Sequence, residues 1–392
     1  MIQIKEALDI LRSSNQIPNE TIISLKNSLG HVLSKDILAP IDLPGFNQSA
    51  MDGYAVCLKE GVESYEIIGE VEAGSPDEPK LSPGQCVRIF TGAKVPVTAN
   101  TVVQQEWAIV DGNRIQFDRD IQLGKNIRPQ GEQIKSGNIA LAKGHLINAA
   151  SIGFLAGLGL TEVAVFMNPK IQILTTGNEL IPPGNPLKAG QIYESNSAML
   201  EAALRSFNYN QVDIATVPDN YEQTVALVKN ALESYDFLIL SGGISVGDYD
   251  FVHQALVDNK VEQLFYKVNQ KPGKPLFFGQ KENKIIAALP GNPAAALTCF
   301  YVYVLPMLNK LSGKGFEELE TGKAKMSNAY IKKGDRAYLL KAKLKDGEIQ
   351  PLDGQSSAML QSFALSNAII HIPSNKSSVE AGEDVEFYHI PR

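Results

Sequence analysis

Phe237-Leu238-Ile239-Leu240-Ser241-Gly242-Gly243-Ile244-Ser245-Val246-Gly247-Asp248-Tyr249-Asp250 is the stretch that decides the fold. Its first four residues are apolar without alternation, the pattern of a strand buried on both faces. A glycine turn follows, and 250–258 reads as a helix. The texture repeats on either side. Strands are predicted at 171–174, 212–217 and 285–289, and helices at 196–207, 221–235 and from Pro293 onward. Buried strands alternating with helices predict a mainly parallel sheet covered on both faces. In such sheets ligands bind at the carboxyl ends of strands, where backbone N–H groups and helix N-termini are free.

Four anion-handling signals lie between residues 240 and 293. The turn 241–247 is neither a Walker loop nor GxGxxG. Its residues Gly242, Gly243, Ser245 and Gly247 either build an anion nest or merely connect strand to helix. Asp248 and Asp250 either cap the following helix or bind magnesium, which takes one or two carboxylates plus phosphate oxygens and water. Lys271-Pro272-Gly273-Lys274-Pro275 belongs to a basic cluster, Lys267, Lys271, Lys274 and Lys281, with no intervening acid. These lysines are either a solvated strand end or point charges for a tetrahedral oxyanion, with the prolines fixing where they point. Leu289-Pro290-Gly291-Asn292-Pro293 is the fourth signal. Thr175-Thr176-Gly177-Asn178-Glu179 leaves another strand, and Glu179 either caps a turn or serves the site. Taken alone, Asp52-Gly53 reads as a hairpin turn, and Thr91 in Arg88-Ile89-Phe90-Thr91-Gly92-Ala93 says little.

The chain has 392 residues, enough for several domains, and its 44% apolar and 20% charged content is that of a globular protein. A formal charge of −7 argues against a general nucleic-acid binder. The three cysteines lack metal-ligand spacing, and the five histidines form no close pair. That pattern makes a structural zinc site unexpected and a reducing cytoplasm the natural compartment. The N-terminus does not read as a signal peptide. The apolar run 294–308 is broken by Pro306 and too short to span a membrane, so it reads as a buried helix. No Ser-His-Asp or Cys-His arrangement is visible, which argues against protease or esterase chemistry. An amphipathic helix opens the chain at Ile4, Ala7, Leu8 and Leu11, and a second short helix is predicted at 25–33. Residues from Pro44 to about Lys143 read as a β-rich domain with many hairpins. A helix is predicted at 146–160 and a compact β domain after Gly313.

Taken in order, these motifs resemble the molybdopterin molybdenumtransferase family, the bacterial MoeA proteins related to the gephyrin E domain. The resemblance rests on Ser49-Ala50-Met51-Asp52-Gly53-Tyr54-Ala55, 88–93, Arg128-Pro129-Gln130-Gly131-Glu132, Thr176-Gly177-Asn178-Glu179-Leu180, 241–250, 271–275 and 289–293, and it covers essentially the whole chain. It implies four parts: an elongated part from 1–43 and 144–168, an inserted β domain at 44–143, a molybdopterin-binding α/β domain at 169–313, and a C-terminal β barrel at 314–392. It also implies a homodimer whose cleft lies between the α/β domain of one subunit and the β domain of the other. The implied reaction inserts molybdate into the dithiolene of adenylylated molybdopterin and releases AMP with magnesium present.

On that resemblance Asp52, Thr91, Glu179, Asp219, Asp250, Lys267 and Lys271 are the candidate catalytic residues. Gly242, Gly243, Ser245, Gly247, Asp248, Pro290, Gly291, Asn292 and Pro293 would bind the pterin nucleotide. Lys271, Lys274, Pro275 and Arg336 would take molybdate, and Glu179 with Asp250 would hold Mg2+. A molybdopterin adenylyltransferase of the same pathway is an expected partner. Three departures stand out: Gln133 and Glu194 where the family commonly has aspartate, and Ala295 where serine is common. The alternatives are a molybdopterin adenylyltransferase, which shares the α/β domain but is shorter, and a non-catalytic gephyrin-like scaffold.

Overall fold

The computed structural model describes residues 1–217, 220–244 and 251–390. The chain forms two compact units, one of Met1–Thr21, Gly30–Val32 and Val165–Arg392, the other of Ile22–Leu29 and Leu33–Ala164.

The second unit is built on a six-stranded sheet ordered Thr101–Gln104, Gly53–Val56, Gln85–Ile89, Tyr65–Val71, Arg114–Phe117, Ala108–Asp111. Alternation sends Ala55, Val87, Ile89 and Val102 to one face, and Tyr54, Val56, Cys86 and Val103 to the other. Both faces are therefore packed. Most pairings are antiparallel, but the many hairpins expected are not what builds this sheet. Only Ala108–Asp111 and Arg114–Phe117 pair across a short turn, the other antiparallel partners come from distant segments, and Tyr65–Val71 and Gln85–Ile89 run parallel. Gly53 sits where a Cβ would come within 1.9 Å of the Val103 carbonyl oxygen, so only glycine lets these strands close. The helix Ala149–Gly157 starts with a capping box between Asn148 and Ser151, and His145 Nε2 meets the same serine hydroxyl at 2.7 Å.

The short helix expected at 25–33 is a single 3-10 turn, Leu25–Asn27. The Ser28 hydroxyl donates to the Leu25 carbonyl at 2.7 Å, and Gly30 adopts φ 77°. Those two residues end the turn before an α-helix can propagate.

In the larger unit a six-stranded sheet is ordered Val212–Val217, Ile171–Thr176, Phe237–Ser241, Lys284–Leu289, Phe277–Lys281, Glu262–Tyr266. The first four strands are mutually parallel, and Phe277–Lys281 runs antiparallel to both of its neighbours. Along the strand that opened the reading, Phe237 and Ile239 enter one core and Leu238 and Leu240 the other. Ile4–Ser13, Asn196–Ser206 and the long helix from Pro293 cover the first face, while Tyr221–Ser234 and Phe251–Asp258 cover the second. Each such side chain, fully buried, contributes roughly 1.5–3 kcal/mol relative to exposure. A strand apolar throughout is therefore stable only between two helical layers.

The apolar run does not break at Pro306. Helix continues from Pro293 to Leu311, with 89% of its most apolar window buried inside the protein. A π-helical stretch, Phe300–Val304, lies immediately upstream, and the Leu305 N–H bonds the Phe300 carbonyl. Proline supplies no N–H and crowds the carbonyl four residues back. A widened turn there relieves both problems.

The C-terminal strands close on themselves. Ala337–Lys345 pairs with Glu348–Pro351, which pairs with Thr321–Met326, then Asp384–His389, then Ala368–Ile372, which returns to Ala337–Lys345. Met326, Tyr338, Leu340, Ile349, Ile370 and Phe387 fill this barrel. A short strand from the α/β part, Gln270–Lys271, adds to it in parallel, opposite Ala337 and Tyr338. That pairing positions the site.

Candidate active site

Three parallel strands end together. Gly242 and Gly243 have φ of 95° and 64°, and a Cβ on either would come within 3.0 Å of Thr176 Oγ1. A Cβ on Gly291 would stand 3.5 Å from Gly242 Cα. Glycine at 242 and 243 lets these turns pack closely, whereas at 291 a Cβ would make only ordinary contact. Gly177, with φ 142°, lies under the Glu179 carboxylate, whose oxygens would be 2.8 and 2.9 Å from a Cβ there. The acid therefore folds back over the end of its own strand. Asn196 ties the turns together: its Nδ2 donates to Ser241 Oγ and to the Gly291 carbonyl, both at 2.8 Å. Among the described residues its buried Oδ1 has no hydrogen-bond partner.

The lysine segment is a tight loop. Lys267 N–H bonds the Leu276 carbonyl at 3.0 Å, and Val268 N–H bonds the Lys274 carbonyl at 3.1 Å. Gln270, fully buried, donates to the Gly273 carbonyl and accepts from the Tyr303 hydroxyl. Pro272 follows a cis peptide bond. Lys271 and Lys274 are exposed on this braced loop, and the Lys267 ammonium rests over the Tyr266 ring at 4.6 Å.

Because Lys271 pairs with Tyr338, Arg336 sits two residues before its strand partner. The Lys271 ammonium lies 5.0 Å from the Tyr338 ring centroid and donates to its hydroxyl at 3.4 Å. The Arg336 carbonyl accepts from buried Lys332 at 2.7 Å. A cavity of about 210 Å³ is lined here by Lys271, Pro272, Tyr330, Tyr338, Gln355 and Ser356. Asn292 Nδ2 donates to Ser357 Oγ at 3.0 Å, and the Ala295 N–H bonds the Ser357 carbonyl at 3.2 Å. The Pro-Gly-Asn-Pro turn is thereby joined to the loop that walls the cavity. The cavity is lined by one ammonium, Lys271, with hydroxyl and amide side chains beside it, groups suited to an oxyanion.

In the other unit, Asp52 Oδ1 accepts from the Thr91 N–H at 2.7 Å and from Thr91 Oγ1 at 2.8 Å. Those bonds, the backbone one foremost, hold the Asp52 carboxyl below the ordinary range. Residues distant in sequence thus form one local pair. Asp219, Ser245, Gly247, Asp248 and Asp250 lie outside the described residues. Among the described residues no group of three or more His, Cys, Asp or Glu gathers as a metal cluster. One carboxylate, Glu179, at this strand-end edge is compatible with magnesium, which can draw much of its shell from water and ligand oxygens. Sequence reading missed Asn196, Tyr338 and Ser357. No local pattern marks them, because each acts through a partner from a distant element.

The chain matches the MoeA N-terminal region (domain I and II) over residues 2–159, a probable molybdopterin binding domain over 172–310, and the MoeA C-terminal region (domain IV) over 323–390. It is 33% identical to the molybdopterin molybdenumtransferase of Staphylococcus epidermidis, covering 98% of this chain and 94% of that protein. The chain belongs to the molybdopterin molybdenumtransferase family. The Haemophilus influenzae member is 32% identical, with 98% of both chains covered. A crystal structure of the MoeA molybdopterin biosynthesis protein from Pyrococcus horikoshii superposes with a TM-score of 0.85 at 28% identity, covering 99% of each chain.

Of the three positions expected to depart from the family pattern, two have a clear structural setting. Glu194 accepts from the Ser197 N–H at 3.0 Å and from the Ser197 hydroxyl, satisfying a first-turn N–H of Asn196–Ser206. Ala295 is buried beneath Ser357, whose hydroxyl lies against Asn292 at this turn. Nothing in the structure explains Gln133, which is exposed.

Proposed function

We propose that this enzyme of molybdenum cofactor biosynthesis inserts molybdate into the dithiolene of adenylylated molybdopterin. The phosphoanhydride is hydrolysed to release AMP, and the dithiolene sulfurs displace molybdate oxygens, which leave as water. One observation supports the reading: the strand pairing sets Lys271 opposite Tyr338, two residues after Arg336, and Lys271 lines a cavity whose wall is joined to the Pro-Gly-Asn-Pro turn.

Lys271, Lys274 and Arg336, with Pro275 shaping the loop, would neutralise the molybdate dianion, and Lys267 would add charge beside them. Gly242, Gly243, Pro290, Gly291, Asn292 and Pro293, with Ser245, Gly247 and Asp248, would cradle the pterin nucleotide. Magnesium, held by Glu179 and Asp250, would neutralise the phosphoanhydride as it is cleaved. Asp219 would assist there, and Asp52 with Thr91 would act on the same reaction. The chemistry requires positioning and charge neutralisation rather than a redox step. We further infer a homodimer working in the cytoplasm, receiving its substrate from an adenylyltransferase. We also infer a division into parts at 1–43 with 144–168, 44–143, 169–313 and 314–392.

The test supplies purified protein with adenylylated molybdopterin, molybdate and Mg2+, and measures AMP release and molybdenum incorporation. Molybdate-dependent AMP release is expected, with Lys271→Ala raising KM for molybdate at least about tenfold. Absence of AMP release by the unaltered protein would sink the reading. Adenylylation of molybdopterin from ATP alone would favour the adenylyltransferase activity instead.

A further inference from the structure

Lys341 is 3% exposed, and its ammonium meets three main-chain carbonyls: Gly354 at 2.7 Å, Ser356 at 3.1 Å and Met359 at 3.0 Å. The donors of an ammonium are all used this way. Its neighbours Leu339 and Leu340 are apolar and buried, so the strand needs no charge for barrel packing. Placing a cation there is unfavourable by desolvation unless its bonds compensate. Burial does press the lysine pKa downward.

The loop held by this ammonium walls the oxyanion cavity. Gln355 and Ser356 line it together with Lys271. Gln355 is bonded to Lys341 a second way, accepting from its N–H at 3.1 Å and donating to its carbonyl at 2.8 Å. On its far side the same loop presents Ser357 to Asn292 and Ala295. Lys341 and Gln355 therefore connect the barrel strand to the wall, and Ser357 connects the wall to the pterin-nucleotide turn.

We propose that Lys341 is a positioning residue, clamping loop 354–359 so that the cavity shared with Lys271 keeps the shape an oxyanion requires. The inference rests on the molybdate-insertion reading. It adds that molybdate affinity is controlled by a buried cation that meets the loop's carbonyls.

Lys341→Met, Lys341→Arg and Gln355→Ala are compared by hydrogen–deuterium exchange and by insertion kinetics. In Lys341→Met, amides of 354–359 should exchange faster while those of Asp384–His389 stay unchanged. Its KM for molybdate should rise at least about tenfold with a much smaller change in kcat, because a displaced wall weakens placement. Lys341→Arg should restore most of the affinity. If Lys341→Met does not fold, Gln355→Ala is expected to show the same pattern more weakly.

Unchanged exchange at 354–359 in folded Lys341→Met overturns the clamp, whatever the activity. Faster exchange with unchanged KM overturns the link to the oxyanion. Failure of the unaltered protein to insert molybdate overturns the functional reading and the oxyanion half with it, leaving exchange to decide the clamp.

Discussion

At the scale of single residues, Asp52 shows how a side chain acquires a role its sequence setting does not display. Asp-Gly alone reads as a turn, yet its carboxylate takes two hydrogen bonds from Thr91 and is exposed at the surface. A carboxyl depressed in the fold stabilises the protein above its unfolded pKa. That contribution fades as pH falls through the lower, folded value. Thr91→Val removes the side-chain bond and spares the larger backbone one. The Asp52 pKa measured by NMR should therefore rise only part of the way to the ordinary carboxylate range. No rise would mean the hydroxyl bond is absent in solution. Gly273 is a second case, with φ 82° and a hypothetical Cβ 2.5 Å from Cys299 Sγ. Gly273→Ala should destabilise by about 3 kcal/mol in urea unfolding, through steric clash and positive φ together. Glycine was recognisable as a turn former from sequence, but its contact with Cys299 depends on a helix elsewhere in the chain.

At the scale of elements, buried strands and amphipathic helices were legible because burial imposes periodicity on local sequence. Some features were not. The buried helix from Pro293 was read, but not its continuation through Pro306, which persists because a π-helical stretch and a packed core outweigh the proline's local cost. The two-residue strand Gln270–Lys271 has too little length for any periodic signal, and its partner lies in the barrel. Its anchorage to the long helix runs through the Tyr303 hydroxyl and the Gln270 side chain, both fully buried. Tyr303→Phe should leave Gln270 Oε1 unsatisfied and cost about 1–3 kcal/mol. The same variant should raise KM for molybdate by loosening the Lys271 loop. Stability unchanged in calorimetry would show that water replaces the hydroxyl.

At the scale of the whole molecule, the proposed dimer makes a quantitative prediction. Asp52→Ala and Lys271→Ala subunits, each nearly inactive alone, should recover about a quarter of wild-type activity after equal mixing and exchange. Half the dimers are then mixed, and one of their two sites is intact. Recovery near zero would mean both residues serve one site from a single subunit. Removing Mg2+ with a chelator should stop AMP release, and readdition should restore it; activity indifferent to the chelator would remove the metal from the reaction.

Sequence by itself determined the α/β character, the glycine turns at strand ends, the basic loop and the ordered motifs that identify the family. Those follow from local periodicity and residue chemistry, which each segment carries alone. Only the tertiary structure decided that Lys271 pairs with Tyr338, two residues beyond Arg336, that Asn196 ties two strand ends, and that a loop held by Lys341 forms one wall of the cavity. These contacts join segments far apart in the chain, and strand pairing and packing between distant elements leave no periodic trace in either partner.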